Sequence, residues 1–115
     1  MLTGCKNISP LQRLENGRVR AAHWGMELAV DDDGQAGYLG IRMQDIRPGG
    51  GENVFLCQVT EEIENPFSFT VMLCPCGQDG AYPIGWEVDK ATWSRLRADR
   101  VEIHLPRTSI LLLED

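Results

Sequence analysis

The chain has 115 residues, and its 17 acidic residues against 11 basic ones give a formal net charge of −6. A chain of about 100–150 residues usually forms one domain, and 43% hydrophobic residues are enough to build its core. The acidic balance argues against nucleic-acid binding through a basic face, because phosphate neutralisation needs clustered Lys and Arg. No apolar run approaches the ~20 residues of a membrane span, and residues 1–6 show no apolar signal-peptide core.

The N-terminal half predicts short strands separated by turns. Residues 8–16 are ambiguous: Ser9 and Pro10 have the spacing of a helix start, whereas pairing with other segments would make a strand. Alternating apolar residues then predict three strands, followed by a polar turn at Met43–Asp45 and a glycine-rich break that is a candidate seam between two halves. The strands are residues 18–21, 26–30 and 38–42, and the seam is residues 48–52.

The C-terminal half predicts longer strands and one helix. Phe55, Cys57, Val59 and Ile63 share one parity, and Glu61 falls on the same parity, which predicts a bulge or an exposed end there. Phe67, Phe69, Val71 and Leu73 predict the next half-buried strand. Further strands are expected at residues 84–88, 101–105 and 110–113, and a short helix near residues 90–96 is expected to be capped by Asp89.

This pattern favours an all-β fold: an OB-like small barrel of short antiparallel strands with one short helix. The whole chain, residues 1–115, reads as a single domain.

The four cysteines are expected to be thiols. Cys74-Pro75-Cys76 is the one close pair, and a zinc ribbon would need a second pair. We therefore interpret Cys57 as a core residue and residues 74–76 as the end of a strand, and we expect no metal site.

Motifs for catalysis are missing from the sequence. There is no phosphate-binding loop with its lysine, no H-E-x-x-H and no G-x-S-x-G. The carboxylates of Glu61, Glu62 and Glu64 suit a solvated strand end, and His23 and His104 lack a nucleophile at motif spacing. The chain is expected not to be an enzyme by itself.

Several stretches in order resemble one family. Residues 39–46 read LGIRMQDI and resemble the "LGIRPEDI" segment of the TOBE (transport-associated OB) domain of ABC importer ATPases. Residues 2–8 and 23–25 resemble the "TGCKN" opening and "dWG" segment of that domain in molybdate-type importers. Residues 100–112 are similar to its "V.i.lP...i.ll" ending. The sequence departs from the family at Met43 and Gln44, and carries Lys6 where the related Mop domains have arginine.

The resemblance implies a C-terminal regulatory and dimerisation domain of an ABC transporter ATP-binding subunit. ATP and Mg would then bind an upstream domain of the same polypeptide. The implied partners are a second copy, that ATPase domain and, indirectly, the membrane permease, which would place the chain in the cytoplasm at the inner face of the membrane. The implied ligand is molybdate or tungstate, for which the candidate oxyanion-binding residues are Thr3, Lys6, Asn7, Ser9 and Arg42.

Two alternatives stay open at this point. The domain could be a purely structural interaction module of the same subunit that binds no ligand. It could instead be an OB-type nucleic-acid binder, but such sites need a basic groove with exposed aromatic residues, and the sequence puts Phe67 and Phe69 on the core parity. No nucleic acid is therefore expected as a partner.

Overall fold

The computed structural model describes residues 7–31, 34–77 and 80–114. Within these residues the protein has the predicted all-β, OB-like architecture, with ten strands and one α-helix. The strands are β1 (Asn7–Arg13), β2 (Arg18–Ala21), β3 (Met26–Ala29), β4 (Tyr38–Ile41), β5 (Arg47–Pro48), β6 (Val54–Glu64), β7 (Ser68–Pro75), β8 (Ile84–Asp89), β9 (Arg100–His104) and β10 (Leu111–Leu113). The helix α1 is Lys90–Leu96, and single 3-10 turns lie at Glu15–Gly17, Met43–Asp45 and Arg107–Ser109.

The strands form two antiparallel sheets of five. The first has the order β10-β4-β1-β2-β3, and the second has the order β5-β9-β6-β7-β8. The chain passes from the first sheet to the second across the Met43–Asp45 turn and returns for β10. The predicted seam at residues 48–52 does not separate the sheets: it overlaps the connection, residues 49–53, between β5 and β6 of the second sheet.

The ambiguous N-terminal segment is a strand. Asn7–Arg13 pairs with β4 through its first residues and with β2 through its last. Because strand pairing satisfies the backbone groups of this segment through distant partners, it overrides the local preference of Ser9 and Pro10 for a helix start.

The helix α1 begins as predicted. The Asp89 carboxylate accepts a hydrogen bond of 2.9 Å from the Thr92 backbone N–H, so Asp89 is the N-cap. Trp93 is buried, whereas Leu96 is 36% exposed. Among the described residues, no helix is long and apolar enough to cross a membrane.

The predicted bulge in β6 is confirmed, and it changes the outcome for Ile63. The β6–β7 pairing shifts between Val59 and Glu61, so Thr60 is the extra residue. An extra residue reverses the side-chain parity that follows it. Ile63 is therefore 44% exposed rather than on the core face, and Glu62 pairs with the buried Val71.

The prediction that Phe67 lies on the core parity is wrong. Phe67 is 89% exposed. It precedes β7 and lies in the turn closed by the Asn65 N–H, which donates to the Ser68 carbonyl at 2.8 Å. Alternation holds only within a paired strand, and it therefore applies to Phe69, Val71 and Leu73 but not to Phe67.

One core lies between the two sheets. Its buried cluster takes residues from both sheets and from α1, and its largest members are Trp24, Trp86 and Trp93. Trp86 and Trp93 meet edge to face with ring centroids 5.9 Å apart. The Trp86 indole N–H donates to the Ile46 carbonyl at 3.0 Å, so this large side chain is buried with its polar atom satisfied.

Candidate functional site

Asn7 and Ser9, two of the candidate oxyanion ligands, are buried in β1 and bonded within the protein. The Asn7 amide donates to the Gly85 carbonyl at 2.7 Å and accepts from the Gly85 N–H at 2.8 Å. The Ser9 hydroxyl accepts from the His23 N–H at 2.9 Å and donates to the Pro10 carbonyl at 2.9 Å. An anion bound by these two side chains would have to displace these bonds.

Arg42 lies beside this pair of residues at the end of β4. Asn7 of β1 is paired with Ile41 of β4, and Arg42 is the next residue after Ile41. Its side chain is 48% exposed, and its guanidinium lies 4.0 Å from the Asp45 carboxylate. Thr3 and Lys6, the remaining candidate ligands, lie outside the described residues.

Cys57, Cys74 and Cys76 occupy the positions that the sequence predicted, and Cys5 lies outside the described residues. Cys57 is fully buried, and β7 ends at Pro75 between Cys74 and Cys76. Burial disfavours the thiolate, and the neighbouring Cys76 and Cys74 add to this effect, so the pKa of Cys57 rises to about 12. Within residues 7–31, 34–77 and 80–114, no group of three or more His, Cys, Asp or Glu side chains is placed to hold a metal ion.

The glutamates at the end of β6 make structural contacts. Glu62 accepts hydrogen bonds from the Trp93 indole and from Arg97. Glu64 forms a 2.9 Å ion pair with Lys90. These contacts tie α1 to the second sheet, which is a structural use of both carboxylates.

The two histidines also have neighbours within the fold. The His23 ring stacks on the Tyr82 ring at 4.2 Å. The His104 Nδ1 lies 3.1 Å from the Gly49 carbonyl.

The outward face of the first sheet is apolar over three strands. Ile8 and Leu111 both pair with Gly40, while Pro10 and Leu113 both pair with Tyr38. Directly paired residues share one face of a sheet, and the intervening Asn7, Ser9, Leu39 and Ile41 are buried on the other face. Ile8 is 39% exposed and Tyr38 is 38% exposed. We call the set Ile8, Pro10, Tyr38, Leu111 and Leu113 the apolar face.

Sequence reasoning did not identify the apolar face. Its members come from three distant segments, and their alignment depends on the order β10-β4-β1. The available signal was the uninterrupted apolar run that ends in Leu113, because a strand with only one buried face would carry alternating polar residues.

Comparison with known proteins gives no identification: no protein-family model matches the sequence, and no curated protein matches it. A family assignment therefore depends on the residues themselves and on where the fold places them.

Proposed function

We propose that this chain is a TOBE-type accessory domain of an ABC importer ATPase, acting by association with a second copy and with the rest of the transporter. The observation that carries the proposal is a spatial one. Of the stretches that resemble the family, residues 7–8 of the first, residues 39–46 and the final part (109–112) of the last overlap β1, β4 and β10, which are neighbouring strands of one sheet, whereas residues 100–104 of the last stretch form β9 in the second sheet. A shared structural role for the three stretches supports their common origin in such a domain.

The apolar face supports the dimerisation role. It lies on the same three strands, and contiguous apolar surface on a soluble domain commonly marks an interaction site. A two-fold symmetric dimer would use the same patch on both copies. The proposal therefore assigns self-association to Ile8, Tyr38 and their neighbours.

The ligand-free form of this function is the one that the contacts favour. Asn7 and Ser9 are already bonded to Gly85, His23 and Pro10, and a buried polar group that loses its partner costs roughly 1–3 kcal/mol. Calorimetric titration of the chain with molybdate distinguishes the two forms. We expect no heat of binding at millimolar anion, and saturable heat that Arg42→Gln abolishes would instead support the oxyanion sensor.

The transporter assignment is tested on the parent polypeptide. An antibody against this chain would capture the endogenous protein, and mass spectrometry would determine its full sequence. We expect a nucleotide-binding ATPase domain on the same polypeptide and a permease subunit among the co-purified proteins. A parent polypeptide without a nucleotide-binding domain would overturn the proposal.

Self-association is tested by sedimentation velocity over a range of concentrations. We expect a monomer–dimer equilibrium that Tyr38→Glu shifts to monomer. Tyr82→Glu is the matched control, because Tyr82 is 58% exposed but lies outside the apolar face. Equal effects of the two substitutions, or a monomer at all concentrations, would contradict the assignment of this face.

A further inference from the structure

The two outermost strands of the second sheet border a cleft of about 690 Å³. β5 contributes Arg47 and Pro48 to one wall, and β8 contributes residues 86–89 to the other. The Trp86 indole crosses between them to the Ile46 carbonyl. The sheet thus curls until its edges approach each other, and the gap that remains is the cleft.

The β8 edge already binds one peptide-like group. The Asn7 side-chain amide pairs with both the N–H and the carbonyl of Gly85, as the backbone of a neighbouring strand would. Gly85 therefore directs its backbone groups away from β7. Backbone groups two residues apart in a strand point to the same side, and the β7–β8 register is regular. The N–H and carbonyl of Glu87 consequently point away from β7, towards the cleft.

The walls of the cleft offer an apolar contact and two cations, Arg47 and Arg95. The Phe67 ring is 89% exposed at one end of the cleft. Arg47 is exposed, and no carboxylate among the described residues lies within 4.0 Å of it, whereas Lys90, Arg97 and Arg107 are all ion-paired.

Two carboxylates on the β8 side restrict where a negative charge can bind. Asp89 caps α1 through Thr92, and its pKa is lowered by the hydrogen bonds from Thr92 and by nearby Arg95. Glu87 extends its own carboxylate from the same strand. Arg95, the other cation that lines the cleft, lies near Asp89, so a negative charge in the cleft is best placed at Arg47, on the opposite wall.

We propose that an extended peptide segment of a partner protein adds to β8 in this cleft. Its backbone pairs with the N–H and carbonyl of Glu87, an acidic side chain faces Arg47, and an apolar side chain packs on Phe67. Strand addition of this kind takes its affinity from main-chain hydrogen bonds and its specificity from the adjacent side chains. The proposal is independent of the transporter assignment, because it uses neither the apolar face nor the family resemblance.

The experiment is an NMR titration of the whole ¹⁵N-labelled chain with the blocked peptide Ac-Thr-Val-Glu-Val-Thr-NH2. We expect saturable shifts centred on the Glu87 amide and the Trp86 indole, and slower hydrogen exchange at Glu87. Replacing the peptide glutamate by glutamine should weaken binding about two- to fivefold, as expected for one exposed ion pair. Methylating the peptide backbone nitrogens should abolish binding. No binding at millimolar peptide, or equal binding of the methylated peptide, would overturn the proposal.

Variants of the protein identify the site. Glu87→Pro removes the N–H that points away from β7 and leaves the hydrogen bonds between β7 and β8 in place. The variant should therefore fold but not bind the peptide. Arg47→Gln should erase the preference for glutamate over glutamine in the peptide, whereas Arg100→Gln, which changes an exposed arginine on β9, should keep it. If Glu87→Pro fails to fold, the Arg47→Gln comparison decides alone. Unchanged preference in Arg47→Gln would refute the proposal.

Discussion

The indole N–H of Trp93 donates a 2.5 Å hydrogen bond to the carboxylate of Glu62, joining α1 to β6. Arg97 holds the other carboxylate oxygen at 3.0 Å. The hydrogen bond from Trp93, followed by the hydrogen bond and charge of Arg97, lowers the pKa of Glu62 below its ordinary value of 4.5. The ionised form of Glu62 is therefore the one that stabilises the contact.

This contact predicts a pH-dependent stability. Because the folded pKa lies below the unfolded one, the stabilisation is fully present above about pH 4.5 and is lost as the pH falls through the folded value. We expect the unfolding free energy of the wild-type chain, measured in urea, to fall more steeply than that of Glu62→Gln as the pH drops below about 4.5. Glu64→Gln is the control, since its ion pair with Lys90 is exposed and exposed pairs contribute little. Parallel pH profiles for wild type and Glu62→Gln would contradict the role of Glu62.

The same contact shows what sequence periodicity can and cannot predict. Glu61 falls on the parity of the apolar residues of β6, which predicted a bulge or an exposed end, and the strand has a bulge at Thr60. The position of the extra residue decides whether the side chain of Ile63 or that of Glu62 faces the core. The sequence pattern alone could not make that choice, and the packing of Trp93 against Glu62 shows the outcome.

The candidate oxyanion site was predictable only in part, because the contacts of its residues come from distant parts of the chain. The sequence grouped Asn7 and Arg42 as candidate ligands of one anion, and the structure pairs β1 with β4, the strand that Arg42 follows. The partner of Asn7 is Gly85, which lies in the other sheet and 78 residues away. No local pattern encodes such a contact, and the amide predicted to bind an anion instead joins the two sheets.

A second asparagine joins the sheets at another edge. The Asn53 amide accepts from the Ala29 N–H at 2.8 Å and donates to the carbonyls of Ala29 and Leu105 at 3.1 and 2.9 Å. Its backbone is left-handed, with φ 57°. We expect Asn53→Gly, which tolerates that conformation but lacks the amide, to lower the unfolding free energy by about 1–3 kcal/mol in urea. Asn53→Ala should lose up to about 1 kcal/mol more, because alanine disfavours a left-handed backbone. Wild-type stability of Asn53→Gly would show that the amide bonds are dispensable.

Cys57 predicts a difference in thiol reactivity. The thiol is fully buried and its pKa is about 12, so almost no thiolate is present near neutral pH. Cys74 and Cys76 are partly exposed. We expect iodoacetamide to alkylate Cys74 and Cys76 in the folded chain and to reach Cys57 only after unfolding in urea, as read by peptide mass mapping. Comparable labelling of Cys57 in the folded chain would contradict its burial.

A side chain at position 85 would contact the Met43 side chain, which extends from the Met43–Asp45 turn. A β-carbon at this position would lie 2.6 Å from the Met43 sulfur and 3.6 Å from the Met72 sulfur. Overpacking commonly costs about 1–3 kcal/mol, and because the Met43 sulfur is near the end of a flexible side chain we expect Gly85→Ala to reduce the unfolding free energy by the lower value, about 1 kcal/mol. Because the clash is with Met43, the added cost of Gly85→Ala should shrink in a Met43→Ala background and persist in a Met72→Ala background. Urea unfolding of the wild type, the three single variants and the two double variants forms the two cycles. Strict additivity with Met43→Ala would mean that the turn does not constrain Gly85.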